Sequence, residues 1–186
     1  MVARNPSGNN VIPAADDQNR LRMVMEPSAL ASSGYLSTPT VTRPANTTAY
    51  TAGDVVGGAI EFTSIGPAGG HIMVTAVDLA AYIAALPSGI GNIRLHVYSV
   101  TPPSALADNA AWDLPAGDRA SYLGYIDMGT LLDVGSTCYV QTDGVNKQFK
   151  LAAGSSSLFG YLQTINAFTP GSNSEVYMPR LRAISL

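Results

Sequence analysis

The sequence predicts an all-β fold: a jelly-roll-type β-sandwich of about eight to ten strands, with an extended N-terminal arm and one short helix. Three observations carry this. Short runs of β-branched and aromatic residues recur along the chain without long helical periodicity. Clusters of Gly, Pro, Asp, Asn and Ser separate them at a spacing of roughly 8–14 residues, which favours a sandwich or barrel over βαβ units. Residues 43–65 set the pattern. A polar turn at 44–48 and a second at Ala52-Gly53-Asp54 lead into a strand carrying Val55, Val56, Ile60, Phe62 and Ile65, with Gly57-Gly58 marking a bulge. An immunoglobulin-type sandwich is the second architecture compatible with this rhythm.

Residues 1–34 stand apart as an arm or an edge segment, and residues 35–186 read as one sandwich domain. Within the arm, Arg20-Leu21-Arg22-Met23-Val24-Met25-Glu26 alternates, with Leu21, Met23 and Met25 on one side. This period suits a strand that lies on its own domain or on a partner. Arg20, Leu21, Arg22, Met23 and Met25 are therefore candidate contacts with another subunit or partner, Met being adaptable at contact surfaces.

The strands follow in order. Residues 35–41 form a short one broken by Pro39. Residues 54–65 form the next, and Gly66-Pro67-Ala68-Gly69-Gly70 closes it with a turn. Residues 71–82 are apolar on both faces, as a central strand would be. Ile72, Val74 and Ala76 face one way and Met73, Thr75 and Val77 the other. Residues 92–100 alternate cleanly: Ile93, Leu95 and Val97 against Arg94, His96 and Tyr98. Residues 105–114 are the one helix candidate, with Ser104 as its N-cap. Further strands are expected at 122–132, 135–142, 147–151, 157–164 and 175–184, with Asp143-Gly144 as a tight turn between two of them.

Composition narrows function. Of 186 residues, 46% are apolar but only 12% charged, about half the usual charged share. Ser, Thr, Asn, Gly and backbone must cover the surface, and such a surface is readily desolvated against another protein. Net charge is −3 with ten scattered Lys and Arg, which gives a phosphate backbone nothing to grip and argues against a nucleic-acid partner. No apolar run reaches the length of a membrane span. The first residues, MVARNPSGNN, lack the apolar core of a signal peptide. The lone Cys138 allows no internal disulfide and reads as a small buried apolar residue, in keeping with a reducing cytoplasm.

Reactive chemistry finds little support. His71 and His96 are the only histidines, with no metal-ligand spacing around them, so no cofactor is expected. His96 is better explained by hydrogen bonds beside Arg94 and Tyr98. No Gly-x-Ser-x-Gly elbow appears. Asp54, Glu61, Asp78 and Asp127 are carboxylates that paired acid–base chemistry would need to bring together, although Asp54 suits a turn. Trp112 is either a ligand platform or interface anchor, or an aromatic plug in the capping helix.

Three segments carry a resemblance: RPANTTAYTAGDVVGG with Ile60-Glu61-Phe62, RLHVYSVTPPSALADNAAWDLPAGDRASYLGYI, and SLFGYLQTINAFTPGSNSEVYMPRLRAI. Together they resemble virion proteins of tailed bacteriophages, of the head-decoration and capsid-stabilisation (cement) kind. The likeness spans residues 38–186 and leaves the arm outside it. It implies a jelly-roll sandwich without catalysis, made in the host bacterial cytoplasm and assembled as a homo-oligomer, a trimer, on the capsid surface against the major capsid protein. The alternative of another class is a glycan-binding module displayed on the virion, with Trp112 and Tyr122 as its platform.

Overall fold

The computed structural model describes Ala3–Arg4, Asn10–Val11 and residues 34–186. The candidate contacts Arg20, Leu21, Arg22, Met23 and Met25 lie outside the described residues. The chain divides into two compact units, Met1–Ala31 and Ser32–Leu186. In the first, β1 (Ala3–Arg4) pairs antiparallel with β2 (Asn10–Val11).

The second unit is all-β: β3 (Gly34–Ser37), β4 (Val41–Thr42), β5 (Val55–Phe62), β6 (His71–Ala81), β7 (Asn92–Tyr98), β8 (Tyr122–Thr130), β9 (Leu132–Asp133), β10 (Cys138–Lys150), β11 (Leu158–Thr164) and β12 (Val176–Ser185). The pairing is nested like a folded hairpin. β3 and β4 pair with β12, β5 with β11, β6 with β10, and β7 with β8, all antiparallel. Two further pairings, β12 with β6 and β11 with β7, gather these into sheets ordered β3-β12-β6-β10-β9 and β5-β11-β7-β8. That order is a jelly roll.

Alternation builds the core between the sheets. Ile93, Leu95 and Val97 of β7, Ile60 and Phe62 of β5, and Leu79, Leu162 and Leu181 are all buried there. Gly57-Gly58 lies at a register shift against β11, as a bulge requires. Gly57 adopts φ +78°, and a Cβ there would sit 2.0 Å from Val41 Cγ1, so no other residue fits.

Three expectations are corrected. Among the described residues there is no helix, and 105–114 is an irregular strap. Asn109 takes φ +62°, and Leu106, Trp112 and Leu114 all reach one sheet face. A helix would scatter those three around its circumference. Asp143-Gly144 is not a hairpin turn, because β10 runs through it as one strand. The turn residues are absorbed as a bulge between Asp143 and Lys147, with Gly144 and Asn146 at positive φ. In β6 the alternation changes phase near Ala76, where both neighbouring strands shift register, so Val77 faces the core with Ile72 and Val74.

Candidate interaction surfaces

The two sheets treat their outer faces differently. That of the four-stranded sheet carries Tyr98, Tyr161, His96, Tyr122 and Tyr125, and the β7–β8 strap crosses it. The strap anchors on the free edge of β5: Val55 N donates to Ala110 O at 2.8 Å, Asn109 N to Val55 O at 2.9 Å and Trp112 N to Gly53 O at 2.9 Å. Leu106, Trp112 and Leu114 then pack on Val55, Tyr98 and Tyr161 as a second, smaller core.

His96 lies under this strap, 2% exposed. The Trp112 ring stacks on it at 3.7 Å. Gln163 Nε2 donates to Gly53 O at 3.1 Å, which turns Gln163 Oε1 toward His96 Nε2 at 3.0 Å. His96 therefore carries its proton on Nε2, and Nδ1 accepts from the Tyr122 hydroxyl at 3.0 Å. Burial, opposed by the Gln163 hydrogen bond, lowers the His96 pKa to about 4. Burial likewise raises the Tyr98 hydroxyl to about 12. Trp112 and Tyr122 are thus committed to holding the strap, each only partly exposed.

A buried ionic node ties the sheets' loop ends. Arg43 is 2% exposed. Its guanidinium donates to the Tyr50 hydroxyl and lies 3.5 Å from Glu175 and 3.8 Å from Asp108. Asp108 accepts from Tyr50 at 2.5 Å and from Gly57 N at 2.7 Å, so the strap is pinned to the β5 bulge. Glu175 accepts from Gly171 N at 2.7 Å, Ser172 N at 3.0 Å and the Tyr177 hydroxyl at 3.1 Å. Burial pushes the Tyr50 and Tyr177 hydroxyls up. Next to this node a cleft of about 270 Å³ is lined by residues 82–85, Gly171, Ser172 and Glu175.

Along β6 the outer face of the six-stranded sheet is buried as well, Ala76, Asp78 and Ala80 being 6, 0 and 2% exposed. On β10, Tyr139 donates to Gln141 and Gln141 to Asp143, each at 2.9 Å. On β12, Arg180 and Arg182 hold the fully buried Asp78 at 3.1 and 3.3 Å. At one end of this sheet Cys138 pairs with both Ala81 and Asp133, so the loops after β6 and around β9 leave from the same end on either side of β10. They display Leu132, Val134, Tyr82 and Leu86 at 66, 63, 49 and 37% exposure. Leu132 lies on β9 and the other three on loops, with the Tyr82 hydroxyl reaching Met178 Sδ at 3.6 Å.

The reactive candidates do not converge. His71 is exposed at the start of β6, whereas His96 is buried on the other sheet. Asp54 accepts from Thr51 N at 2.6 Å as a turn residue, Glu61 from Ser157 Oγ at 2.8 Å, and Asp127 from Arg94 at 2.9 Å. Among the described residues no group of three or more His, Cys, Asp or Glu gathers to hold a metal. Sequence reasoning missed Arg43 and Glu175. Arg43 stood in a stretch read as a turn, and nothing local marks it as buried.

No family model and no curated protein matches the sequence. Solved structures do. A mud crab dicistrovirus structure is 15% identical, covering 98% of this chain and 80% of that one, with a TM-score of 0.32. The capsid asymmetric unit of cyanophage Pam1 is 15% identical, covering 93% and 99%, with a TM-score of 0.35. Desmodium yellow mottle tymovirus is 11% identical, covering 89% and 94%, with a TM-score of 0.28. The jelly roll itself rests on this chain's own strand order.

Proposed function

We propose that the chain is a non-enzymatic virion structural protein that binds the exterior of a phage capsid as an oligomer, a homotrimer, with the major capsid protein as its partner. The observation that carries this reading is a set of exposed apolar side chains on β9 and the loops after β6 and β9. Leu132 on β9 and Val134, Tyr82 and Leu86 on loops are exposed in a chain with only 12% charged residues. Apolar exposure of this kind, with few ions to desolvate around it, marks a surface built to be covered by protein. The resemblance of residues 38–186 to phage decoration proteins supports it independently.

In this reading these side chains dock on the shell, and the arm, through Arg20, Leu21, Arg22, Met23 and Met25, ties neighbouring subunits. Several weak contacts acting together raise effective concentration and fix the protein at many equivalent sites. Light scattering combined with co-sedimentation on undecorated particles tests it. The full chain should pellet with the particles, and a chain lacking residues 1–26 should show lower oligomer stability or lower occupancy. A full chain that ignores the shells at every concentration defeats the proposal. A truncated chain that assembles and binds unchanged removes the role of the arm alone.

A further inference from the structure

We propose that Asp143-Gly144 is a site of spontaneous backbone modification, at which the Asp143 carboxyl closes on the Gly144 amide to a succinimide and reopens as isoaspartate.

Asp143 is the only Asp or Asn in the chain followed by glycine, so it alone precedes an amide with no β-carbon beside it. Both residues are exposed. A Cβ built on Gly144 would meet nothing within 4 Å, so no neighbouring group crowds the place where the ring forms.

A laddered strand holds each peptide plane against its neighbour and resists the rotation that ring closure needs. β10 suspends that restraint at this point. Its ladder with β6 stops at Asp143, opposite Ala76, and resumes at Lys147, opposite Val74. Its pairing with β9 is confined to Cys138 and Tyr139. Among the described residues, Gly144, Val145 and Asn146 therefore have no partner residue on either neighbouring strand, and Gly144 and Asn146 take φ +70° and +50°. The peptide that must rotate lies just beyond the last paired residue. The Asp143 carboxylate is held by Gln141 Nε2 at 2.9 and 3.1 Å, a contact between exposed groups that opens without disturbing the core. Other positions lack this combination. Asp54 and Asp133 precede valines, whose branched side chains shield the amide, and Asp78 and Asp118 are buried. Asn173 is exposed before a small residue, but Ser174 N is engaged by Pro44 O at 3.3 Å.

The chemistry needs only water. Gly144 N attacks Cγ of the protonated Asp143 carboxyl, an intramolecular step favoured by proximity. The N–Cγ bond forms, the Cγ–OH bond breaks, and the hydroxyl leaves with the amide proton as water. Water then adds to one of the two ring carbonyls. Opening at Cγ restores aspartate. Opening at the former backbone carbonyl leaves the chain running through Cβ and Cγ, with a free carboxylate on Cα. Net charge is unchanged and the backbone gains one methylene. The unpaired residues 144–146 take up the extra length, as a bulge does, so the ladders on both sides keep their register.

The test ages the full chain, folded, at neutral pH and physiological temperature for several weeks, beside Asp143→Glu, Gly144→Ala and a wild-type sample held in urea. Digestion and mass spectrometry with fragmentation that distinguishes isoaspartate locate the product, and labelling by an isoaspartyl methyltransferase gives a second readout. Folded wild type should accumulate isoaspartate in the peptide carrying residue 143, above all other Asp peptides combined, while its circular dichroism spectrum is unchanged. Asp143→Glu would have to close a larger ring and should stay unmodified. Gly144→Ala, with a β-carbon beside the amide, should convert more slowly than wild type. A folded wild type that stays unmodified at 143 while the urea sample converts overturns the proposal, because the bulge would then protect the pair. Isoaspartate spread evenly over the Asp peptides, or a signal undiminished in Asp143→Glu, overturns it as well. None of these outcomes bears on the capsid reading, on which the site does not depend.

Discussion

At the scale of the residue, His96 shows what a sandwich does with a polar side chain on a covered face. It is kept neutral, hydrogen-bonded at both nitrogens and stacked under Trp112. Its pKa falls from 6.5 to about 4, chiefly through burial, with Arg94 lowering it further and Gln163 and Asp127 opposing. A depressed histidine pKa means that the unfolded chain binds the proton more readily. Stability from this residue is therefore complete above pH 6.5 and drains away as pH falls toward 4, by roughly 3 kcal/mol in all. Urea midpoints measured from pH 7 to pH 4 should show this loss, and His96→Gln should flatten the part of the curve between 6.5 and 4. A variant that keeps the full slope would place the titration elsewhere. The Arg43–Glu175 pair is the opposite solution, in which buried charge is retained because Glu175 also satisfies two loop amides and the Tyr177 hydroxyl.

At the scale of the element, the strap decides which face of the smaller sheet is open. Trp112 is its central contact, so Trp112→Ala should destabilise the protein by the lower end of about 3–5 kcal/mol, because the ring is only partly buried. Amide exchange should quicken first over residues 104–118, ahead of β7 and β11; uniform quickening across the sandwich would deny the strap its independence. The strands themselves were legible. The alternation in β7, the bulge at Gly57-Gly58 and the break at Pro39 follow from side-chain period and glycine or proline geometry, and each stands where those residues put it. Two misreadings have one physical origin. The strap has helix-forming composition, yet Asp108 is claimed by Gly57 and Tyr50, and Trp112 by His96, partners distant in sequence. Asp143-Gly144 has hairpin chemistry, yet β6 offers an unbroken edge on both sides of it, and a bulge keeps more ladder bonds than a reversal would. The covered face was invisible for the same reason: Arg94, His96 and Tyr98 read as polar, and only the distant strap buries the last two.

At the scale of the whole molecule, the sandwich divides its surfaces by task. One sheet is sealed by the chain's own loop, the other holds the buried Asp78 under Arg180 and Arg182, and β9 and the loop after it expose Leu132 and Val134. In the proposed capsid reading the contact lies at that end of the sheet. Leu132 and Val134 flank a tight turn held by Val134 N to Thr137 O at 2.9 Å and Gly135 N to Asp133 Oδ1 at 2.8 Å, so the knob is presented rigidly and binding orders little. Replacing both with Asp changes exposed groups only and should move stability by no more than about 0.5 kcal/mol per site. On the shell the same changes would bury two unpaired carboxylates, each opposed by several kcal/mol of desolvation. Leu132→Asp/Val134→Asp protein should therefore melt and self-associate like wild type but fail to co-sediment with undecorated particles. Retained co-sedimentation at wild-type occupancy would move the capsid contact away from this end. Loss of self-association instead would make it a contact between copies.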